Sequence, residues 1–271
     1  MIYAMSDIHG CIDELKQNME LVDLGDENRI IFLGDYMDYG AASCEVLQYI
    51  KELQERYGDK KVIVLKGNHE QMFLEWIDDY SRTGSGGDDD FPVYNDWLLT
   101  DLETGAKTVS SFLSEKQMGS LKQTRIAGPE SLETISRSAV QMIVSGHEDL
   151  INWIRKMPLY YETDSNIFVH AGVDEEEGDY WPWVTTEDFL LGKYPASTGG
   201  FYKTVIAGHI GTGELAGDPD YHNIYFDGES HYFIDGTVYK GGKLLLLACD
   251  DQNEKYYQVE KGGKTHVEKY R

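Results

Sequence analysis

Before Ser81 the chain repeats one unit three times: a short aliphatic or β-branched run, a polar turn carrying Asp, Asn or His, and a stretch with helical spacing. Met1 to Met5 runs into Ser6-Asp7-Ile8-His9-Gly10, with a helix beginning near Asp13. Arg29 to Leu33 runs into Gly34-Asp35, followed by helical spacing at Val46, Leu47, Ile50 and Leu53 within Ser43 to Tyr57. Lys61 to Leu65 runs into Gly67-Asn68-His69-Glu70 and a helix through Met72, Phe73, Trp76 and Ile77. Strands alternating with helices in this way predict an α/β protein with a partly parallel sheet, whose strand ends gather on one edge.

From Ser81 to Asp90 the chain is rich in Gly, Ser and Asp. Asp88-Asp89-Asp90 lacks the spaced ligands and closing Glu of a calcium loop, so it reads as a solvated loop. Asp96 to Met157 has mostly helical spacing and is stopped by Pro158, which predicts a helical cap inserted at about 78–158 of a single domain spanning 1–271. Strand signals return at Asn166 to Val169, Thr204 to Ala207, Ile224 to Phe226, His231 to Ile234 and Lys243 to Ala248. Gly-rich turns between the late ones predict antiparallel pairing. The tail from Asp251 to Arg271 is polar.

The 271 residues include 48 acidic and 24 basic side chains, a net charge of −24. Such a surface disfavours a stable complex with nucleic acid, which needs a basic stripe, and disfavours anionic membranes. No apolar run is long enough to span a bilayer, the first residues lack the pattern of a signal peptide, and the mature chain is expected to start at Met1. Cys11, Cys44 and Cys249 are scattered without a CxxC pair, so a reducing cytoplasm is the expected location. The oligomeric state is not legible.

The residues at strand ends carry the chemistry. They are Asp7 and His9, Asp35 and Asp38, Asn68 and His69, His170 after Phe168-Val169, and His209 after Ile206-Ala207-Gly208. All offer hard oxygen or imidazole donors, and a shared sheet would carry them to one edge. Asp35 can bridge two divalent ions, with Asp7 and His9 completing one shell and Asn68, His170 and His209 the other, the ions lying about 3.5–4 Å apart. Such a pair acidifies a water for in-line attack on phosphorus. His69 is then the general acid for the leaving oxygen, with Asp38 holding its other ring nitrogen. His147, His222, His231 and His266 lack this setting and read as surface or structural, though His222 lies in a loop closely following His209.

The segments Ser6-Asp7-Ile8-His9-Gly10, Gly34-Asp35-Tyr36-Met37-Asp38-Tyr39-Gly40, Gly67-Asn68-His69-Glu70, Val169-His170-Ala171-Gly172 and Gly208-His209 resemble, in order and wording, the motifs of calcineurin-like metallophosphoesterases. They are most similar to the serine/threonine phosphoprotein phosphatase branch and to bacterial symmetrical dinucleoside tetraphosphate hydrolases. The resemblance implies a four-layer αββα sandwich of two mixed sheets and two divalent ions, manganese foremost with iron or zinc as alternatives. It implies the ligand roles given above, with His69 as acid and Asp38 as its partner.

Two departures bear on substrate. The second motif of the family normally ends Asp-Arg-Gly, and here Tyr39 stands between Asp38 and Gly40, offering a hydroxyl in place of a bidentate clamp. No Arg occurs between His170 and His209, where Lys193 could take a phosphate-binding role or simply face solvent. Tyr36, Tyr39, Tyr180, Trp181 and Trp183 could stack on a base or frame an aromatic phosphoester, or pack the core and cap. The expected activity is hydrolysis of a phosphoprotein or small phosphomonoester. The alternatives are a dinucleoside polyphosphate or another diester, and, in a different class, a noncatalytic metal-containing binding module.

Overall fold

The computed structural model describes residues 1–25, 27–81, 107–126 and 131–270. The solvated loop expected at Asp88 to Asp90 lies outside the described residues.

Two sheets face each other. The first has the order β11-β10-β9-β1-β2-β3. Its centre is β1 (Ile2–Met5), β2 (Arg29–Phe32) and β3 (Val62–Val64), paired in parallel with Ile2 opposite Arg29 and Ile30 opposite Val62. β9 (Leu247–Asp250), β10 (Lys255–Glu260) and β11 (Gly263–His266) extend it antiparallel. The second sheet has the order β4-β5-β6-β8-β7. It comprises β4 (Tyr160–Glu162), β5 (Asn166–Val169), β6 (Thr204–Gly211), β7 (Tyr225–Phe226) and β8 (His231–Asp235). Here β5, β6 and β8 run parallel, so the antiparallel expectation holds for the β7–β8 hairpin and for β9 to β11 but not for the sheet centre. The chain between β6 and β8 is long enough to cross over, because β7 lies on the far side of β8.

Alternation of side chains builds the layers. Ile2, Ala4, Ile31 and Leu33 of the first sheet meet Phe168, Ile206, Tyr232 and Ile234 of the second in a dry inter-sheet core. The opposite faces of β1 to β3, through Tyr3, Met5, Ile30, Phe32 and Val64, pack on a helical layer. That layer contains α1 (Ile12–Met19), α2 (Ser43–Tyr57), α3 (Asn68–Ser81), α4 (Thr108–Phe112), α5 (Glu115–Ile126) and α6 (Ser131–Ile154). The described helices between 108 and 154 thus share one core with α2 and α3: Val109, Phe112, Ile135 and Ile143 pack with Trp76 and Ile50. On the outer face of the second sheet, α7 (Trp181–Val184) and α8 (Glu187–Gly192) bury Trp181 and Leu190 against Ile167, Val169 and Phe233. The result is the expected αββα sandwich of two mixed sheets.

Two late expectations shift. The strand expected at Lys243 to Ala248 begins pairing with β1 only at Leu247. Leu244 and Leu246 still face the helical core while Leu245 and Leu247 face the inter-sheet core. The polar tail forms β10 and β11, and all of β11 is exposed, so an edge strand left no apolar signature to read.

Candidate metal centre and its acid

The carboxyl ends of β1, β2, β5 and β6, with the turn after β3, deliver the predicted residues to one edge. The loops are tied to one another by their backbones. Asp7 N–H donates to Gly34 O at 3.1 Å, His9 N–H to Asp35 O at 2.9 Å, Gly10 N–H to Tyr36 O at 2.8 Å and Gly208 N–H to His170 O at 2.8 Å. Asp7, His9, Asp35, Asp38, Tyr39 and His209 all have left-handed backbone, with φ between 45° and 73°. A non-glycine residue in that region costs on the order of 1 kcal/mol, and such residues concentrate where side chains must be aimed. Two glycines make the close approach possible: a Cβ on Gly67 would lie 2.2 Å from Asp35 Oδ1, and one on Gly208 2.1 Å from Asp7 Oδ2.

Asp35 is the hub. Its Oδ2 lies 3.7 Å from His9 Nε2 and 3.8 Å from His69 Nε2, and its Oδ1 lies 3.4 Å from His170 Nε2. The Asn68 side-chain amide lies 2.8 Å from His170 Nε2, and with its NH2 turned inward it donates there. Two compact donor groups result among the described residues, His9 with Asp35 and His69, and Asp35 with His170 and His209. Asp7 stands beside the first, 4.0 Å from His9 Nε2, with both its oxygens accepting from the His209 amide at 3.1 and 3.0 Å.

The donor chemistry fits two cations. His9 Nδ1 is 2.7 Å from Met37 O, and His170 Nδ1 is 3.0 Å from Leu33 O. A carbonyl only accepts, so Nδ1 carries the proton in both rings and each Nε2 presents a lone pair to carboxylate oxygens. His9 Nε2 and His170 Nε2 thus aim lone pairs at Asp35, at the 3–4 Å spacing that atoms roughly 2.1 Å from a common ion adopt. Burial lowers the pKa of His9, of His170 and of His209, the last to about 4, so these rings are neutral at neutral pH. Burial, with Asp235 and Asp35 close by, holds the Asp7 carboxyl well above its ordinary value. Against the same burial, His170, His69 and His9 hold Asp35 down, to about 2.

His69 is set apart by its Nδ1, which lies 2.5 Å from Asp38 Oδ2. Burial alone would lower its pKa, but the Asp35 and Asp38 carboxylates override this and raise it to about 9. A ring protonated on both nitrogens is a proton donor, and its Nε2 faces the donor groups rather than the core.

Several supporting residues were not foreseen. Thr108 Oγ1 donates to Asp38 Oδ1 at 2.5 Å, and Ser43 Oγ accepts from the Asp38 amide at 3.0 Å. Fully buried Glu70 receives the amides of Asp35, Tyr36 and Gly67 at 2.9, 2.9 and 3.0 Å. Glu70 sits within a motif already singled out, and the signal was a carboxylate between two Gly-flanked turns. Thr108 gave no signal, being remote in sequence.

Of the side chains proposed to meet substrate, Tyr39 stays at the site, 59% exposed and edge-on to His9 with ring centroids 4.9 Å apart. The others go elsewhere. Tyr36 is fully buried and donates its hydroxyl to Leu65 O at 2.6 Å, so it braces the loop from the core side. The Lys193 ammonium is committed to Val173 O at 2.6 Å and Glu175 Oε1 at 3.0 Å, its stem lying across Gly172, so it neither faces solvent nor is free for phosphate. Trp183 is 78% exposed and its ring meets that of Tyr180 at 6.1 Å, while its neighbour Trp181 packs the outer core. His222 Nδ1 lies 3.2 Å from Thr237 Oγ1 and supports a neighbouring turn rather than joining either donor group. The structural reading holds for His147, 2.8 Å from Phe112 O, and for His231, buried between Asp227 and Glu175.

A family model described as calcineurin-like phosphoesterase matches residues 1–212. A symmetrical bis(5'-nucleosyl)-tetraphosphatase of Vibrio parahaemolyticus is 25% identical over 175 residues, 64% of this chain and 45% of the relative. Another so named, from Salmonella arizonae, is 37% identical over 81 residues, 30% of this chain and 27% of the relative. The matched region thus spans less than half the length of either relative. Among solved structures, a cold-active protein-tyrosine phosphatase of a psychrophilic Shewanella has a similar fold, with a TM-score of 0.55 at 15% identity over 98% of this chain and 80% of that one. Among the described residues, no helix is long and apolar enough to cross a membrane.

Proposed function

The chain belongs to the calcineurin-like phosphoesterase family, and from that premise we propose that it is a dinuclear-metal-dependent phosphoester hydrolase. The observation that carries the reading is the His69–Asp38 pair, 2.5 Å apart, set against two donor groups that share Asp35. A purely structural metal site needs neither an acid nor a group to orient it, and this weighs against a noncatalytic binding module.

Asp7, His9 and Asp35 would hold one ion, with His69 at its margin, and Asp35, Asn68, His170 and His209 the other. Two divalent ions bound there, manganese foremost among the candidates, would supply an acidified water and neutralise charge on the phosphoryl oxygens. As an incoming water displaces the ester oxygen from phosphorus, His69 Nε2 would give its proton to that leaving oxygen. Asp38 keeps the ring oriented by accepting from Nδ1–H, and Thr108 and Ser43 fix Asp38. Glu70 keeps the Asp35 and Gly67 turns in register so that the carboxylate and the acid face the same point.

The substrate reading is a phosphomonoester on a small molecule or protein side chain. A dinucleoside polyphosphate is the second reading, favoured by relatives that carry that name. The test is turnover, with manganese supplied, of a phosphopeptide, a diadenosine polyphosphate and an aryl diester. Cleavage of the phosphopeptide above the others is expected, and no turnover of any with metal bound would overturn the hydrolase reading.

A further inference from the structure

Beside the donor groups stands an aromatic wall that the metal chemistry does not use. Tyr39 and Tyr239 stack face to face, with centroids 4.3 Å apart and planes at 12°, and both present edges to His9 at 4.9 and 4.8 Å. Tyr39 also meets the ring of His69 at 5.5 Å. Tyr239 stacks on one face of Tyr39, yet 59% of the residue remains exposed, and among the described residues no other ring stacks on it. The wall is built from two separate turns. Tyr39 sits in left-handed backbone at φ 61°. Tyr239 sits in the short 3-10 turn Val238–Lys240, entered through left-handed Thr237, whose amide donates to Asp235 at 2.7 Å and whose hydroxyl meets His222. Exposed Lys240 places its ammonium 5.1 Å from the centre of the Tyr239 ring.

Exposing a bulky aromatic residue in strained backbone is unfavourable on stability grounds alone, and it leaves aromatic surface exposed next to the proton donor. Whatever hangs from the leaving oxygen emerges beside His69 and therefore beside Tyr39. A planar ring bonded directly to that oxygen would lie nearer Tyr39 than a base displaced by a sugar, because Tyr39 and His69 stand 5.5 Å apart.

We propose that Tyr39, backed by Tyr239 and with Lys240 adding positive charge, selects phosphomonoesters whose leaving group is an aryl oxygen, as in a phosphorylated tyrosine. The proposal rests on the hydrolase reading and narrows its substrate class. Tyr39 is the specificity-determining residue, Tyr239 its support and Lys240 an electrostatic aid to binding of the dianion.

The test is calorimetric binding of benzylphosphonate and cyclohexylmethylphosphonate to the manganese-loaded protein. The two share charge and size and differ in the π-face. The wild type should bind the benzyl compound about fivefold more tightly. Tyr39→Ala should abolish the preference. Tyr39→Asn, which tolerates left-handed backbone, should do the same and guards against misfolding. Lys240→Met should weaken both compounds about threefold at low salt and leave their ratio intact. Equal affinity in the wild type, or a ratio unchanged by loss of Tyr39, overturns the proposal while leaving the hydrolase reading in place if phosphoesters still turn over. Failure to bind either phosphonate, together with no turnover of any phosphoester, overturns both.

Discussion

Glu70 accepts the amide proton of Asp35 at 2.9 Å, so the residue that follows His69 in sequence fixes the backbone of the carboxylate shared by both donor groups. Its second oxygen takes the amide of Tyr36 at 2.9 Å, and the Gly67 amide donates to the first at 3.0 Å. Three donors in a fully buried pocket are satisfied by one side chain.

Glu70→Gln tests that role. An amide group offers one acceptor oxygen and turns an NH2 against backbone N–H groups, so a loss of about 2–3 kcal/mol in stability is expected. Manganese affinity should fall about 10-fold to 100-fold, as for other residues that orient metal ligands. Denaturant unfolding and metal titration check the two effects, and unchanged affinity would confine Glu70 to folding.

The acid assignment predicts a dependence on leaving group. His69→Asn should reduce kcat by about 10²-fold to 10⁴-fold on alkyl phosphates, which need protonation of the departing oxygen, and far less on nitrophenyl phosphate, whose oxygen leaves as a stable anion. Thr108→Val, which removes the hydroxyl bonded to Asp38, should produce the same trend at smaller size, about tenfold. Equal losses across leaving groups would assign His69 to holding metal or phosphate instead.

The crowding of Asp7, Asp35 and Asp235 predicts that divalent ions stabilise the fold. Adding manganese to chelator-stripped protein should raise Tm, by an amount that grows with the logarithm of free metal above its Kd. Asp35→Asn removes the charge shared by both donor groups and should abolish most of that rise. A metal-independent Tm in the wild type would contradict the donor assignment.

Away from the site, buried His231 lies 2.9 Å from Asp227 and 3.1 Å from Glu175, and Glu175 also holds Lys193 at 3.0 Å. Although burial works against it, the pKa of His231 is raised by Glu175 and Asp227. Against burial, His231 and Lys193 lower the Glu175 carboxyl, and the backbone amides of Gly199, Glu229 and His231, followed by the His231 ring, lower that of Asp227. The imidazolium contribution is therefore complete below the ordinary histidine value near 6.5 and is lost as pH rises through the raised one. The carboxylate contributions are complete above their ordinary values near 4 and are lost as pH falls through the lowered ones. All three act together between about pH 5 and 6. His231→Gln should cost about 2–3 kcal/mol there and progressively less in alkaline solution. Urea unfolding of both proteins across that range checks the sign, and a gap that widens with pH would refute it.

The sequence by itself determined the parallel strand–loop–helix units and the identity of the donors, because strand period and the chemistry of Asp, His and Asn are local properties. Asp7, His9, Asp35, Asn68, His170 and His209 could be named from their positions after hydrophobic runs, and the pairing of His69 with Asp38 followed from the motifs. What lies between the donors was decided only when the sheets closed. Thr108 reaches Asp38 because α4 packs on α2, and Tyr239 stacks on Tyr39 because β8 ends beside the Asp38 turn. Tyr36, Lys193 and Trp183 are the converse cases. Their chemistry suited a substrate, but burial drew Tyr36 to Leu65, the half-buried Glu175 carboxylate took Lys193, and the turn after Asp179 sent Trp183 outward. The same physical reason covers both groups: a ligand's type is written in its side chain, but the partner that satisfies it is set by which distant segments the hydrophobic layers press together.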